Sequence, residues 1–331
     1  MRQAATPPTE LGKGAAGTPA ANEEAITIEG LTKYYGPVRG VEELDLVVHQ
    51  AEVFGFLGPN GAGKTTTLRL LLDLIRPDAG SARIFGKDVR RERAAVHRQI
   101  GYLPGELAMW PELTGKDNLE YLAHLRGGVD PGYLCSLIER FEVDPSRRYR
   151  DYSRGNKQKV GLVQAFMHRP RLLLLDEPTG SLDPLVQNAF HELVREVVAG
   201  GATVFLSSHV LSEVERMCDR AGIIREGRLV RVDRVDALGM GEVHLVRMSF
   251  GGRVEPAEFA ALPGVTGVER APTVDGDGGR SAGTVLVATI AGDPRGLLTA
   301  ALRHDLLEIE SRRPSLEELF LTYYEQEAEG M

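Results

Sequence analysis

Two kinds of hydrophobic spacing follow one another along the first two thirds of the chain. Alternating apolar residues predict strands at 26–29 and 41–48, and a continuous apolar run predicts a buried strand at 53–57. From Thr65 the apolar residues fall on one helical face, and Pro77 predicts the end of that helix. That face is formed by Leu68, Leu71, Leu72 and Ile75. The pattern therefore predicts a strand that runs through a glycine-rich loop into a helix.

The same alternation of strands and helices continues further along the chain. Residues 172–175 are consecutive leucines, which is typical of a strand buried on both faces of a parallel sheet. A helix is predicted at 184–199 and another strand at 203–207. Between about 113 and 160 the chain is helical and more polar, and we expect a helical subdomain at about 105–165. These elements together predict an α/β fold.

The composition shifts near Arg234, and a second pattern begins. Strands are predicted at 243–250, 265–270, 284–290 and 306–310, and helices at 256–262, 294–303 and 314–324, with a Gly/Asp-rich hairpin at 275–283. The order βαββαβ predicts a small ferredoxin-like α+β domain at 237–331. Residues 1–24 are rich in Ala, Pro, Gly and Thr, so we interpret them as a disordered tail. The main domain is then expected at 25–236.

Composition and charge exclude several classes of function. Apolar residues make up 42% and charged residues 26% of the 331, as in ordinary globular proteins. The net charge of −8 favours neither nucleic acid nor an anionic membrane surface as a partner. Cys135 and Cys218 have no paired spacing, so a reducing compartment is expected. No apolar run approaches the ~18 residues that span a bilayer, so any role at a membrane requires another chain.

A phosphate-binding loop is the strongest motif of the sequence. Residues 58–65 fit the pattern G-x-x-x-x-G-K-[ST], and the predicted strand before it and helix after it are the context that this motif requires. The residues expected to bind ATP here are Gly58, Pro59, Asn60, Gly61, Ala62, Gly63, Lys64, Thr65 and Thr66. Backbone N–H groups would surround the phosphates, Lys64 would reach the β- and γ-phosphates, and Thr65 would bind Mg²⁺.

Two adjacent carboxylates supply the second part of such a site. Asp176 and Glu177 directly follow the leucine strand, at the strand end where open α/β sheets bind their ligands. We expect Asp176 to hold Mg²⁺, directly or through water. Glu177 would activate the attacking water as a general base.

Residues 25–235 resemble the nucleotide-binding subunit of an ABC transporter. Tyr35 matches the aromatic residue that stacks on adenine in that family; without the resemblance it would be interpreted as a core tyrosine. The stretch from Tyr152 to Gln158 resembles the family signature Leu-Ser-Gly-Gly-Gln. Within it Ser153 and Gly155 match, whereas Arg154 and Asn156 depart.

Two further matches and one departure complete the resemblance. Asp183, in Ser181-Leu182-Asp183, matches the loop that crosses the family's dimer interface. His209 matches the switch histidine that contacts the γ-phosphate. Gly105 stands where the family usually has a glutamine that binds Mg²⁺ and senses the membrane partner. We hypothesise that water or the neighbouring Glu106 completes the metal shell.

The resemblance implies a P-loop NTPase cassette with helical and antiparallel β subdomains. It implies hydrolysis of ATP with Mg²⁺ at sites shared by two subunits, each P-loop being covered by the partner's signature. The dimer would be formed with a second copy or with a similar ATPase. A separate transmembrane permease would place it at the cytoplasmic face of the membrane. The P-loop helix and the ending at 314–320 favour exporters of drugs, antibiotics or lipid-like substrates.

Two other functions remain open at this point. One is a non-transport ABC ATPase that acts on a soluble macromolecular partner, such as a ribosome or DNA. A single cassette, the lack of room for long coiled coils and the acidic charge disfavour it. The other is a small-molecule kinase, which Glu177, the signature-like stretch and His209 disfavour. The C-terminal domain carries no recognisable catalytic residues and is interpreted as structural or regulatory.

Overall fold

Three clusters of buried apolar side chains organise the chain. The computed structural model describes residues 23–238, 243–271 and 283–312. Within these ranges one cluster lies on the helical side of a central sheet, the second on its opposite face, and the third in the C-terminal part. The expected tail up to residue 22, the hairpin at 275–282 and the helix at 314–324 lie outside the described residues.

A four-stranded antiparallel sheet forms the N-terminal layer, in the order β2-β1-β4-β5. Its strands are β1 (Glu24–Tyr35), β2 (Val38–His49), β4 (Ala79–Ile84) and β5 (Lys87–Asp88). The strands β1 and β2 are both longer than the sequence pattern predicted. Several register shifts interrupt their pairing, and these irregularities break the alternation on which the prediction depended.

The central sheet has six strands in the order β10-β9-β3-β8-β7-β6. They are β3 (Val53–Leu57), β6 (Ile100–Leu103), β7 (Leu172–Asp176), β8 (Thr203–Ser208), β9 (Arg220–Arg225) and β10 (Arg228–Arg234). All pairings are parallel except that of β10 with β9. In β7, Leu173 and Leu175 belong to the helical-side cluster, and Leu172 and Leu174 to the other. Burial on both faces explains the continuous apolar run, and truncating one of these leucines to alanine would cost about 2–5 kcal/mol.

In the described part of the chain, eight helices pack around these two sheets. They are α1 (Lys64–Leu71), α2 (Arg93–His97), α3 (Gly115–Leu125), α4 (Pro131–Arg140), α5 (Arg154–Phe166), α6 (Pro184–Ala199), α7 (Leu211–Met217) and α8 (Val235–Leu238). The helices α3, α4 and α5 occupy the range expected for the helical subdomain. Thr114 and Asp117 form a capping box at the start of α3, and Asp130 caps α4, so local sequence sets both helix starts.

Helix α1 is shorter than predicted. It ends at Leu71, whereas the apolar spacing extended the predicted helix to Ile75. Asp73 adopts a left-handed backbone with φ of 48°, which cannot continue a helix. Leu72 and Ile75 still pack against the core, so they are apolar because of tertiary contacts and not because of helical spacing.

The C-terminal part has the predicted βαββαβ order. Its elements are β11 (Val243–Phe250), α9 (Pro256–Ala260), β12 (Val265–Ala271), β13 (Thr284–Ala291), α10 (Arg295–Ala301) and β14 (Leu306–Arg312). The strands form an antiparallel sheet in the order β12-β13-β11-β14. Phe250 and Phe259 lie at the centre of its own hydrophobic cluster. A separate core is what an independently packed unit requires.

Candidate functional site

The glycine loop connects β3 to the N-terminal end of α1. Gly63 has φ of +114°, and a Cβ atom there would lie 2.6 Å from the carbonyl oxygen of Gly40. Any other residue would therefore be strained and would collide with the backbone. No side chain caps α1 at Gly63. The N–H groups at the start of the helix can therefore bind an anion.

Lys64 is buried, and its ammonium group lies inside the loop. Nζ donates to the carbonyl oxygens of Gly58 at 2.6 Å and Pro59 at 3.2 Å. It also lies 3.3 Å from Oε1 of Glu177. The lysine therefore brings the loop and the acidic strand end together.

The carboxylate of Asp176 is held by two hydroxyl groups. Oδ2 accepts a hydrogen bond from Thr65 at 2.8 Å, and Oδ1 accepts one from Ser207 at 2.6 Å. A hydroxyl and a carboxylate in contact are oxygen ligands of the kind that Mg²⁺ prefers. No group of three or more His, Cys, Asp or Glu within the described ranges could hold a metal ion. A Mg²⁺ ion here would draw its remaining ligands from phosphate and water, as Mg²⁺ commonly does.

Glu177 has a left-handed backbone, with φ of 51°. This conformation is unfavourable for a non-glycine residue, and the surrounding hydrogen bonds maintain it. Its N–H donates to Oγ of Ser207 at 3.2 Å, and its carbonyl accepts from the Gln158 side chain at 3.3 Å. The carboxylate contacts Lys64 on one side, and Nδ1 of His209 on the other at 2.6 Å. The two consecutive carboxylates thus have different surroundings. Asp176 contacts Thr65, whereas Glu177 lies between Lys64 and His209.

Tyr35 lies at the outer edge of the loop. It is 44% exposed, so the interpretation as a core tyrosine is wrong. A Cβ atom added to Gly40 would lie 2.9 Å from the Tyr35 ring and 3.2 Å from Cγ2 of Thr66. The Tyr35 ring and the start of α1 therefore both lie next to Gly40. An exposed ring beside a phosphate loop has the geometry that base stacking requires.

The signature-like stretch begins helix α5. Ser153 is its N-cap, and its Oγ accepts from the N–H of Asn156 at 3.3 Å. A Cβ atom at Gly155 would lie 2.7 Å from the carbonyl oxygen of Ser181, so a side chain is excluded there. Arg154 is exposed. Among the described residues, no hydrogen bond joins this stretch to the glycine loop of the same chain.

Asp183 has a structural position in addition to its predicted one. Its carboxylate caps α6 by accepting from the N–H groups of Leu185 and Val186 at 3.1 and 3.0 Å. These bonds, that of Val186 first, lower its pKa, with the Lys159 ammonium at 3.8 Å contributing. The residue is more than half exposed and remains accessible to a partner chain.

Gly105 lies directly beside the candidate metal site. A Cβ atom at this position would be 3.3 Å from Oδ2 of Asp176. A side chain at position 105 would therefore enter the site formed by Asp176 and Thr65. Glu106 is exposed, and within the described part of the chain its carboxylate has no hydrogen bond or ion pair. Its part in a metal shell stays a hypothesis.

The roles of three residues at the site were not predicted from the sequence. Ser207 forms hydrogen bonds with both Asp176 and Glu177. The Gln158 side chain donates to the carbonyl oxygens of Glu177 at 3.3 Å and of Pro178 at 3.0 Å, and so holds the backbone of these two residues. Glu213 accepts from Ser208 at 3.0 Å and also from Thr179. The two serines at the end of β8 could have indicated that this strand end belongs to the site, because the carboxyl ends of parallel strands lie at the same edge of the sheet.

A large groove is lined by residues of α2, β6 and the helical subdomain. It has a volume of about 970 Å³ and continues along β6. Exposed Trp110 and Leu125 line it together with Tyr102 and Pro104. Burial, followed by the charge of Asp176, raises the pKa of Tyr102 to about 12. Tyr102 pairs with Leu174, two residues before Asp176, so the groove and the acidic strand end are connected through neighbouring strands.

Comparison with known proteins identifies the family. The family model for ABC transporters matches residues 41–180. The daunorubicin resistance ATP-binding protein DrrA3 of Streptomyces coeruleorubidus is 37% identical over 310 residues, which cover 90% of this chain and 95% of that protein. This chain is a member of the ABC transporter family. This ABC protein is also 37% identical to the bacitracin transport ATP-binding protein BcrA of Enterococcus faecalis, over 65% of its own length and 71% of the relative's.

Solved structures agree with this membership. An ATP-binding subunit of an ABC transporter has 31% identity and a TM-score of 0.60, covering 65% of this ABC protein and 91% of that chain. A dimeric bacterial ABC transporter cassette has a TM-score of 0.59 at 22% identity, which shows the fold alone. None of the helices within the described ranges is both long and apolar enough to cross a bilayer.

Proposed function

We propose that this ABC protein is the ATP-hydrolysing subunit of a membrane exporter for a drug or antibiotic, working with a separate permease. The observation that carries the proposal is the position of Glu177 between Lys64 and His209, beside a glycine loop at a helix N-terminus. Such an arrangement suits hydrolysis of a nucleotide γ-phosphate. The relatives, named for daunorubicin resistance and bacitracin transport, support the choice of export.

The loop and the strand end have distinct tasks in the proposed reaction. The N–H groups of α1 and the Lys64 ammonium bind the phosphates, and Tyr35 stacks on the base. Thr65 and Asp176 hold Mg²⁺, which when bound neutralises phosphate charge. The Lys64 ammonium already lies in a ring of carbonyl oxygens, so its position does not depend on solvent. Binding in the proposed site is therefore largely preorganised.

Glu177 is the proposed general base. Its carboxylate accepts a proton from the attacking water, and His209 holds the carboxylate through the 2.6 Å contact to Nδ1. Because Nδ1 is directed at the carboxylate, the other ring nitrogen can contact the γ-phosphate. A carboxylate can only accept, so Nδ1 carries a proton in this contact, and a donor contact from the other ring nitrogen to the γ-phosphate requires that nitrogen to be protonated as well.

Completion of the site requires a second subunit in this proposal. Ser153 and the N-terminal end of α5 present donors on an exposed surface, and none of the hydrogen bonds of the described residues joins them to their own glycine loop. In a head-to-tail pair these donors would cover the γ-phosphate of the partner. ATP would favour the dimer because it contacts both halves, and hydrolysis would remove those contacts.

Docking of the permease is assigned to the groove of about 970 Å³ beside Trp110 and Leu125. The test is whether the tagged chain co-purifies with a multi-helix membrane protein when it is isolated from its own cells in mild detergent. In cells, the pair should lower accumulation of a transported drug. With Lys64→Ala the permease should still co-purify while drug efflux is lost. A chain that binds ribosomes or DNA instead, with no membrane partner, would support the alternative of a non-transport ABC ATPase.

A further inference from the structure

A second concavity, of about 560 Å³, lies between the end of α1 and the strands β4 and β5. Three exposed arginines line it, namely Arg76, Arg90 and Arg91. Among the residues that the structure describes, no carboxylate lies within 4.0 Å of these three guanidinium groups. Arginines without a close ion-pair partner on one concave surface are well suited to bind phosphate, which accepts two hydrogen bonds from one guanidinium.

Both carboxylates that line the pocket have other partners. Asp88 accepts hydrogen bonds from the backbone N–H groups of Arg91 at 2.9 Å and Arg90 at 3.0 Å. These bonds, together with the charges of the two arginine side chains, lower the pKa of Asp88. Asp73 lies 3.7 Å from the guanidinium of Arg93. Three arginines and two carboxylates give the pocket lining a net charge of +1, although the whole chain carries −8.

The arginine pocket and the large groove lie on either side of one segment, residues 70–76. Leu72 and Leu74 line the large groove, whereas Leu70, Asp73 and Arg76 line the arginine pocket. If the groove receives the permease, as proposed above, the arginine pocket opens beside that membrane partner. The position of the pocket beside the permease rests on the proposed function. The charge and shape of the pocket are observed independently of that function.

The charge of the pocket and its size suit a phosphate headgroup. Its volume of about 560 Å³ can hold a phosphate group with the atoms next to it, and three arginines are complementary in charge to that anion. We infer that Arg76, Arg90 and Arg91 bind the phosphate of an anionic phospholipid headgroup at the membrane surface beside the permease. Basic pockets next to membrane-spanning partners commonly recognise such headgroups. Direct lipid contact would then add to permease docking in holding the subunit at the membrane.

The test is flotation of the full-length chain with vesicles. One set of vesicles contains phosphatidylcholine alone. The other set also contains roughly 30 mol % of the anionic lipid phosphatidylglycerol, which mimics a negatively charged leaflet. The wild type should bind the anionic vesicles selectively. Combining Arg76→Gln, Arg90→Gln and Arg91→Gln should lower that binding at least about tenfold, since each arginine near an anionic surface contributes about a fivefold factor.

A matched control removes the same charge elsewhere. Arg195, Arg247 and Arg303 are exposed and have no ion pair in the described structure, and their combined replacement by Gln should leave vesicle binding unchanged. Equal loss in both triple variants would overturn the inference in favour of net charge. Unchanged binding in the pocket variant would also overturn it.

Two other ligands give separate results. Inorganic phosphate is titrated into each protein in a calorimeter. If the wild type binds phosphate and the pocket variant does not, while the wild type fails to float with vesicles, the ligand is a soluble anion and not a lipid. If the pocket variant no longer co-purifies with the permease, and the wild type does not bind vesicles, the ligand is an acidic protein segment and not a lipid. Nucleotide binding is measured on every variant. Because the flotation assay needs neither ATP nor the permease, failure of lipid binding is distinguishable from failure of the proposed transport function.

Discussion

The Nδ1 atom of His209 lies 2.6 Å from a carboxylate oxygen of Glu177, while the other oxygen of that carboxylate lies 3.3 Å from Lys64. His209 directly follows β8, Glu177 directly follows β7, and Lys64 belongs to the glycine loop, and these segments are neighbours only in the folded sheet. A carboxylate fixed from both sides cannot rotate freely. This arrangement leads to predictions that separate binding from hydrolysis.

Glu177→Gln should abolish hydrolysis while retaining ATP. The amide keeps the shape of the side chain but cannot accept a proton, so turnover should fall about 10²–10⁴-fold. Because the γ-phosphate persists, the variant should elute from gel filtration as a dimer with ATP and as a monomer without it. Glu112→Gln, an exposed carboxylate remote from the loop in sequence, is the control. A monomer with saturating ATP would contradict the shared-site proposal.

His209→Ala should slow hydrolysis with little change in ATP affinity. Loss of the histidine frees the Glu177 carboxylate on one side and removes a donor to the γ-phosphate, and we expect about a 10²-fold decrease in turnover. Steady-state phosphate release and fluorescent-nucleotide binding measure the two effects. His124→Ala, at an exposed histidine, should behave as wild type. A parallel loss of ATP affinity would show instead that His209 stabilises the loop.

Gly105→Gln should strengthen binding of the divalent cation. The new side chain would start 3.3 Å from Oδ2 of Asp176, so its amide oxygen can join the ligand set. Paramagnetic resonance of Mn²⁺ with nucleotide measures the affinity independently of turnover. Gly105→Ala supplies the backbone control, since it has no oxygen. Equal Mn²⁺ affinity in wild type and Gly105→Gln would show that the side chain does not reach the cation.

Glu106→Ala tests the other source of a ligand. If the Glu106 carboxylate completes the metal shell, its loss should raise the Mg²⁺ concentration needed for half-maximal ATPase activity. Glu112→Ala, another exposed carboxylate in the same region, should leave the Mg²⁺ dependence unchanged. An unaltered Mg²⁺ titration for Glu106→Ala would leave water as the remaining ligand.

Asp183→Ser should separate helix capping from dimer formation. Serine also caps a helix N-terminus, so thermal stability should change little, while Asp183→Ala should lose about 1 kcal/mol of unfolding free energy. If the carboxylate also contacts a partner subunit, both variants should weaken the ATP-dependent dimer equally. Normal dimerisation of Asp183→Ser would restrict the residue to capping.

His168 should make the protein less stable in acid. Burial, followed by the charge of Arg126, lowers its pKa from 6.5 to about 4. Between these values the unfolded chain binds a proton that the folded chain does not, so stability falls as pH decreases from 6.5 towards 4. Gln can keep the hydrogen bond to the Ile100 carbonyl. His168→Gln should therefore reduce the loss of urea stability between pH 7.5 and 5, whereas His124→Gln should not.

Much of the site could be predicted because its motifs are local. The spacing from Gly58 to Thr65 is itself the loop, and Asp176 and Glu177 are adjacent in sequence. The roles of Ser207 and Gln158 could not be predicted, since their contacts depend on how β8 and α5 approach the strand end. The exposure of Tyr35 was likewise decided by the packing around Gly40.

The sequence by itself determined the phosphate loop, the buried parallel strands and the βαββαβ order of the C-terminal part, because each depends on spacing along the chain. Only the tertiary structure decided where α1 ends, why Glu177 turns away from Asp176, and that position 105 lies beside the Asp176 carboxylate. It also brought Arg76 beside Arg90 and Arg91 around one concavity. The physical reason is the same in each case: strands and loops distant in sequence share one sheet edge, and contacts across it outweigh local preference.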